Sequence, residues 1–408
     1  MTLAGQPVVT VTSSRRPTIS PMRKVDLVWF NAGGGHRAAA QALEQSIHAQ
    51  GLPWQVRRVN LAEVLDPAGL FRRLTGMDPE DIYNKRLASG FTLGLAQELK
   101  VLQAAIRWAH PLLVERLARH WRATQPDLVV SLIPNFNRAL HDALADARPG
   151  APFVTVMTDM ADHPPAFWAE PGTRQHLVCG TGRAAAQAML SGCDPARVHR
   201  VSGMMLRPEF HLPPAADRAA RRRELGFDGE TPVGLVLFGG AGSRVMKRIA
   251  AALPDTPLVL MCGRNERLAA EMRAMPARAP RAVVGFTTDV AGWMHTADFF
   301  VGKPGPGSIS EAVQCGLPVI VTRNAWTMPQ ERWNAEWVRM HGVGLVLRSF
   351  GEIAPAVHSL NAHLPGLRSR VAAVRNEAVF DVPRLLARIL ESPQVPRALR
   401  EQALLSPG

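Results

Sequence analysis

No apolar run in the 408 residues reaches the roughly 18 that a membrane-spanning helix needs, so no such segment is expected. Met1 to Ser20 also lacks the continuous apolar core of a signal peptide. Its Thr, Ser, Pro and Arg content predicts a disordered leader over residues 1–21. Cysteine is scarce and scattered: Cys179, Cys193, Cys262 and Cys315 form no C-x-x-C pair. That argues against a zinc site or a disulfide framework and fits a reduced, cytoplasmic compartment. There is no Asp-x-Asp sequence, so a carboxylate clamp for a metal ion is not indicated and no metal site is expected. Walker order, G-x-x-x-x-G-K-[ST], and a G-x-S-x-G nucleophile elbow are also absent. Acidic residues are in the minority, 34 against 47 lysines and arginines.

The resulting formal charge of +13 and pI near 10.9 suit an acidic partner such as nucleotide phosphates, an anionic membrane surface or nucleic acid; a GC-rich genome would account for part of the arginine excess. Hydrophobic residues make up 47% and charged residues 20% of the chain, enough for two ordinary cores at this length. After the leader, short apolar runs alternate with helical stretches. Val25–Phe30, Trp54–Val59, Asp127–Ile133 and Pro152–Thr158 read as strands, with shorter ones at Leu177–Cys179 and Val198–Ser202. The polar, Pro- and Arg-rich stretch from Arg207 interrupts this pattern, which restarts with Pro232–Phe238, Leu258–Cys262, Arg281–Phe286, Phe299–Gly302 and Pro318–Thr322. Such alternation predicts an α/β fold of two doubly wound parallel sheets facing a cleft. The expected division is an N-terminal domain over 22–206, a linker over 207–219 and a C-terminal domain over 220–377. A last helix within 378–408 is expected to return to the first domain. Ligands in such sheets sit beyond the carboxyl ends of the strands.

One segment combines several ligand-binding devices. Val301–Gly302 ends a strand, Lys303 to Gly307 form a Gly/Pro turn, and a helix follows with Ser308 or Ser310 near its cap. Free N–H groups and the positive end of that helix suit a diphosphate. Lys303 adds charge, and Glu311 is placed to accept from ribose hydroxyls. Gly305 and Gly307 let the backbone approach the ligand. One β-turn-α unit later, Gln330, Glu331 and Asn334 offer two amides and a carboxylate suited to sugar hydroxyls. Each segment alone also reads as a plain capped helix start.

Together these motifs resemble the donor half of GT-B glycosyltransferases. More narrowly, the chain resembles the monogalactosyldiacylglycerol synthase and diacylglycerol glucosyltransferase family, which is similar to glycosyltransferase family 28. Asn31-Ala32-Gly33-Gly34-Gly35-His36-Arg37 matches that family's glycine-rich opening. Thr155-Val156-Met157-Thr158-Asp159-Met160, Leu237-Phe238-Gly239-Gly240-Ala241-Gly242 and Cys262-Gly263-Arg264-Asn265 match further signatures. The resemblance implies two GT-B domains, an inverting transfer of a hexose from UDP-galactose or UDP-glucose, and a lipid acceptor such as diacylglycerol. No cofactor is implied, since the UDP-sugar is a substrate, and no nucleic acid partner. It implies that His36 is the catalytic base beside an acceptor loop of Gly33, Gly34 and Gly35. Asp159 would orient His36 or replace it. Gly239, Gly240 and Gly242, with Arg264 and Phe286, would complete the nucleotide site. Asn31, where the family carries aspartate, and Met328-Pro329 depart from the pattern, so sugar and acceptor identity stay open. So do two rivals: an epimerase or hydrolase of the same fold, and a nucleotide-sugar-binding subunit without catalysis.

Tyr83 to Arg122 is basic and amphipathic. Phe91, Trp108 and Trp121 lie among Lys85, Arg86, Lys100, Arg107, Arg116, Arg119 and Arg122. It reads either as helices packed on the first sheet or as a surface for an anionic membrane, with peripheral attachment at the inner face of the cell membrane.

Overall fold

The computed structural model describes residues 22–31, 34–69, 73, 95–213, 217–227 and 230–392. The leader, Gly33, Tyr83 and Phe91 lie outside them. Among the described residues twelve strands form two separate parallel sheets. The first holds β1 (Arg23–Trp29), β2 (Trp54–Asn60), β3 (Leu128–Ser131), β4 (Phe153–Val156), β5 (His176–Cys179) and β6 (Val198–Arg200) in the order β2-β1-β3-β4-β5-β6. The second holds β7 (Gly234–Leu237), β8 (Leu258–Met261), β9 (Arg281–Val284), β10 (Phe299–Gly302), β11 (Val319–Thr322) and β12 (Gly344–Leu347) in the order β12-β11-β10-β7-β8-β9. Helices cover both faces, so central strands such as Leu258–Met261 and Phe299–Gly302 are buried throughout. That is why they read as unbroken apolar runs rather than alternating ones.

The strand orders position the chemistry. The direction of winding reverses between β1 and β3 in the first sheet and between β7 and β10 in the second. Doubly wound sheets bind ligands at such reversals, beyond the strand ends. The loops there carry His36 in the first lobe and Gly239–Gly242 with Lys303–Ser308 in the second.

The stretch expected to be a linker is only partly extended. Its end forms the helix Arg218–Glu224, capped by Asp217 and docked on the second lobe through Asp298. Asp298 is a buried hub. Arg218, Arg222 and Arg368 all pair with it, and it accepts the Val233 N–H. Burial pushes its carboxyl up, but the Val233 N–H and the two linker arginines overcome this and hold it below the usual range. The chain crosses back near residue 376, where Asn376 Nδ2 donates to the Met204 carbonyl at 3.0 Å. The helix Ala378–Glu391 then packs on the helix Gly35–Ala49, with Ser46 donating to the Val379 carbonyl.

Candidate active site

His36 is the second residue of the helix Gly35–Ala49. Its Nδ1 lies 3.2 Å from Thr158 Oγ1, just past β4. That contact holds the ring in place. Burial pulls the imidazole down to about 4, with the Leu132 backbone opposing, so the ring is neutral at physiological pH and has a lone pair to offer. A Cβ on Gly34 or Gly35 would meet nothing within 4 Å, so these two glycines face open space.

Asp159 is placed beside His36, but its carboxylate is held by another residue. Trp168 Nε1 donates to Asp159 Oδ2 at 2.9 Å, and the fully buried Trp168 ring stands 6.2 Å from the His36 ring. Burial pushes the Asp159 carboxyl up to about 6. Trp168 opposes this, while Glu331 and Lys303 act from the second lobe in opposite senses. The two lobes therefore meet here, with Asp159 on one side and the Lys303–Glu331 pair on the other.

In that pair Lys303 Nζ lies 3.1 Å from Glu331 Oε1. Glu331 is buried and Lys303 partly exposed. Gly305, rather than Ser308 or Ser310, is the N-cap of the helix Pro306–Gln314, and no side chain caps it. Pro306 has no N–H to lose, so the N–H groups of Gly307 and Ser308 stay available to a ligand. Glu311 lies one turn further in. Burial pushes its carboxyl up to about 7, with Arg207 opposing and Glu209 adding. Asn334 is fully buried and donates to the Pro304 carbonyl at 2.8 Å, so its amide braces the Lys303 turn. Gln330 Nε2 sits 3.8 Å from Met328 Sδ, so the Met328 departure touches the amide expected to read the sugar.

The loops after β7 and β8 interlock. The Arg264 N–H donates to the Gly240 carbonyl at 2.8 Å, and a Cβ on Gly263 would stand 2.2 Å from that oxygen. Only glycine fits there. The crossing brings the Arg264 guanidinium over the Phe286 ring at 4.2 Å, with Phe286 59% exposed. An aromatic ring backed by a guanidinium makes a flat face for a nucleobase. Gly239 and Gly240 beside it face open space.

Comparisons with known proteins agree with the two-sheet fold. No family model matches the chain. A probable monogalactosyldiacylglycerol synthase 2 of Oryza sativa subsp. indica is 28% identical, with 91% of this chain and 81% of the relative covered. Synthase 3 of Arabidopsis thaliana is 27% identical, over 82% and 74%. Among solved structures, MurG of Acinetobacter baumannii superposes with a TM-score of 0.55 at 15% identity, over 90% of this chain and 100% of its own. The calicheamicin glycosyltransferase CalG4 gives 0.58 at 15% identity, over 91% and 98%. The chain has the GT-B fold of these glycosyltransferases and is similar in sequence to the monogalactosyldiacylglycerol synthases.

Two residues of this glycosyltransferase's site were not singled out from sequence. Thr158 holds His36 and Trp168 holds Asp159. Thr158 stands in a segment carrying the resemblance, but both hydrogen bonds depend on which loops the sheet brings together. Among the described residues no helix is long and apolar enough to cross a membrane. No group of three or more His, Cys, Asp or Glu there is placed to hold a metal ion.

Proposed function

We propose that the protein is an inverting hexosyltransferase. It moves the sugar of UDP-galactose or UDP-glucose to the hydroxyl of a diacylglycerol-type lipid, from the cytoplasmic side of the membrane. The observation carrying this reading is the opposition across the cleft of a neutral, ring-fixed His36 and an uncapped helix start with Lys303. UDP lies with its base on Phe286–Arg264, its ribose at Glu311 and its diphosphate on the Gly307 and Ser308 N–H groups. Lys303, freed from Glu331, joins the diphosphate as negative charge develops. The acceptor hydroxyl loses its proton to His36 Nε2 and attacks the anomeric carbon in line. The bond to the UDP oxygen breaks on the opposite face, and UDP leaves with that electron pair. One displacement inverts the centre, with no covalent sugar–enzyme step. Gln330 and Glu331 orient the sugar.

The lipid acceptor is supported by the related synthases and by one exposed face. The helices Leu95–Trp108 and His110–Thr124 expose Val101, Leu102, Leu112 and the 88%-exposed Trp108, together with Lys100, Arg107 and an Arg119 that pairs with Glu115. Trp121 does not contribute to this face, because it is fully buried with Leu117 and Ala118. Arg116 is also committed, donating to the Leu65 carbonyl. Charge at this face draws the protein to anionic lipid within about a Debye length, and the apolar residues add a part that salt does not remove.

The test is UDP release from each donor, with and without diacylglycerol vesicles. Release that needs the vesicles, and falls when Lys100, Arg107 and Arg119 are changed to glutamate, supports the proposal. Release without acceptor means a hydrolase, and no release from any donor means a binding subunit.

A further inference from the structure

A cavity of about 610 Å³ lies between the lobes at the hinge, away from the glycine loops of the donor site. Both chain crossings wall it, Ser202 to Met204 on the way out and Ala373 to Asn376 on the return. These crossings are packed without slack: a Cβ on Gly203 would stand 2.5 Å from the Asn376 side chain. Any occupant therefore touches both connections and both lobes at once. The volume falls within the roughly 300–1,000 Å³ typical of small-molecule sites.

The lining defines the chemistry. Buried Met160, Val313 and Trp333, with partly buried Trp337, give an apolar and aromatic wall. No lining residue is acidic, whereas four are arginines. Two of the four already have partners: Arg183 holds Asp162 through two hydrogen bonds, and Arg370 donates to the Gly342 carbonyl. Arg200 and Arg375 have no hydrogen-bond or ion-pair partner among the described residues. Two free guanidinium groups facing an apolar, aromatic hollow match a compact anion with a flat or apolar body.

We propose that this hinge cavity is a second ligand site, taking a small organic phosphate or carboxylate with an aromatic or apolar body, and that an occupant fixes the angle between the lobes. Binding both crossings favours one lobe arrangement over others, and a ligand shifts such an equilibrium by its difference in affinity for the two arrangements. The site is independent of the donor reading given above.

The experiment uses the full chain, with naphthyl phosphate as probe in calorimetry. Saturable binding is expected to persist at saturating UDP. It is expected to weaken about tenfold or more in the Arg200→Glu, Arg375→Glu double variant, which loses two charge-assisted contacts. Trp337→Ala, which leaves those charges in place, is expected to weaken the naphthyl compound while leaving the much weaker binding of inorganic phosphate unchanged. The double variant is expected to keep wild-type UDP affinity, which also shows that it is folded. The proposal is overturned by absence of saturable binding, by competition with UDP, or by equal affinity in the folded double variant. Failure of the wild type to bind UDP would count against the donor reading and leave this one standing.

Discussion

Replacing Asp159 with asparagine separates what the site costs from what it does. Asparagine keeps a carbonyl oxygen for the Trp168 N–H, which reaches Asp159 Oδ2 at 2.9 Å. What it removes is a charge that burial disfavours. Burial moves this carboxyl from 3.8 to about 6, a displacement worth about 3 kcal/mol. The acid is raised in the folded state, so between these two values the unfolded chain is ionised while the folded protein holds its proton. Wild-type stability is then complete below about pH 4, declines as pH rises to about 6 and stays level above. Asp159→Asn is therefore expected to be the more stable protein near pH 8 by about 2–3 kcal/mol, or roughly 5–10 °C in Tm for a lobe of this size. The advantage should vanish near pH 4. Thermal unfolding of both proteins across that range, followed by the fluorescence of buried Trp168 and Trp121, measures it. A difference independent of pH, or a wild type more stable near pH 8, refutes the reasoning. The same variant is expected to lose turnover, as happens when a site holds a charge against the preference of the fold.

Three further predictions concern the remaining groups. His36→Ala should leave UDP affinity unchanged and cut turnover about a hundredfold or more; turnover at the wild-type level in steady-state assays would make His36 structural. Lys303→Ala and Glu311→Ala should each weaken UDP binding by about 1.5–3 kcal/mol. Because the Glu311 carboxyl is pushed up to about 7 and accepts ribose hydroxyls best when ionised, wild-type affinity should rise as pH climbs through that value, and the rise should be absent from Glu311→Ala in calorimetry. Asp298→Ala strands Arg222 in the interior with Arg218 and Arg368 beside it. It should cost about 3–5 kcal/mol of stability in urea unfolding, with the largest effect on the second lobe.

The sequence was most legible where the chain is most regular. Phe299–Gly302 is a strand with the bounds expected, because a fully buried parallel strand leaves an unbroken apolar run between turn residues. The helix Ala378–Glu391 also falls within the stretch expected for it despite Pro383 inside it, since its apolar stripe is strong. Helix starts were harder to place. Ser308 and Ser310 look like caps, yet Pro306 sits at the first helical position and moves the cap to Gly305. Nothing local marks Asp298 as a hub, because its three arginines come from segments about 70 to 80 positions away. Thr158 and Trp168 were missed for a similar reason: hydrogen bonds between loops at a sheet edge leave no local periodicity. Trp121 has the spacing of an exposed amphipathic face, but only packing reveals that this side of its helix meets the core.

The proposed reaction is a single displacement of UDP by a lipid hydroxyl, and the anomeric configuration of the product tests it most directly. Purified protein would be given α-linked UDP-galactose and, separately, UDP-glucose, with diacylglycerol vesicles. The glycolipid product would then be isolated and its anomeric proton coupling measured by NMR. A β-linked glycosyl diacylglycerol, formed by the wild type and lost in His36→Ala, is the predicted result. An α-linked product, or free sugar with no glycolipid, would contradict it.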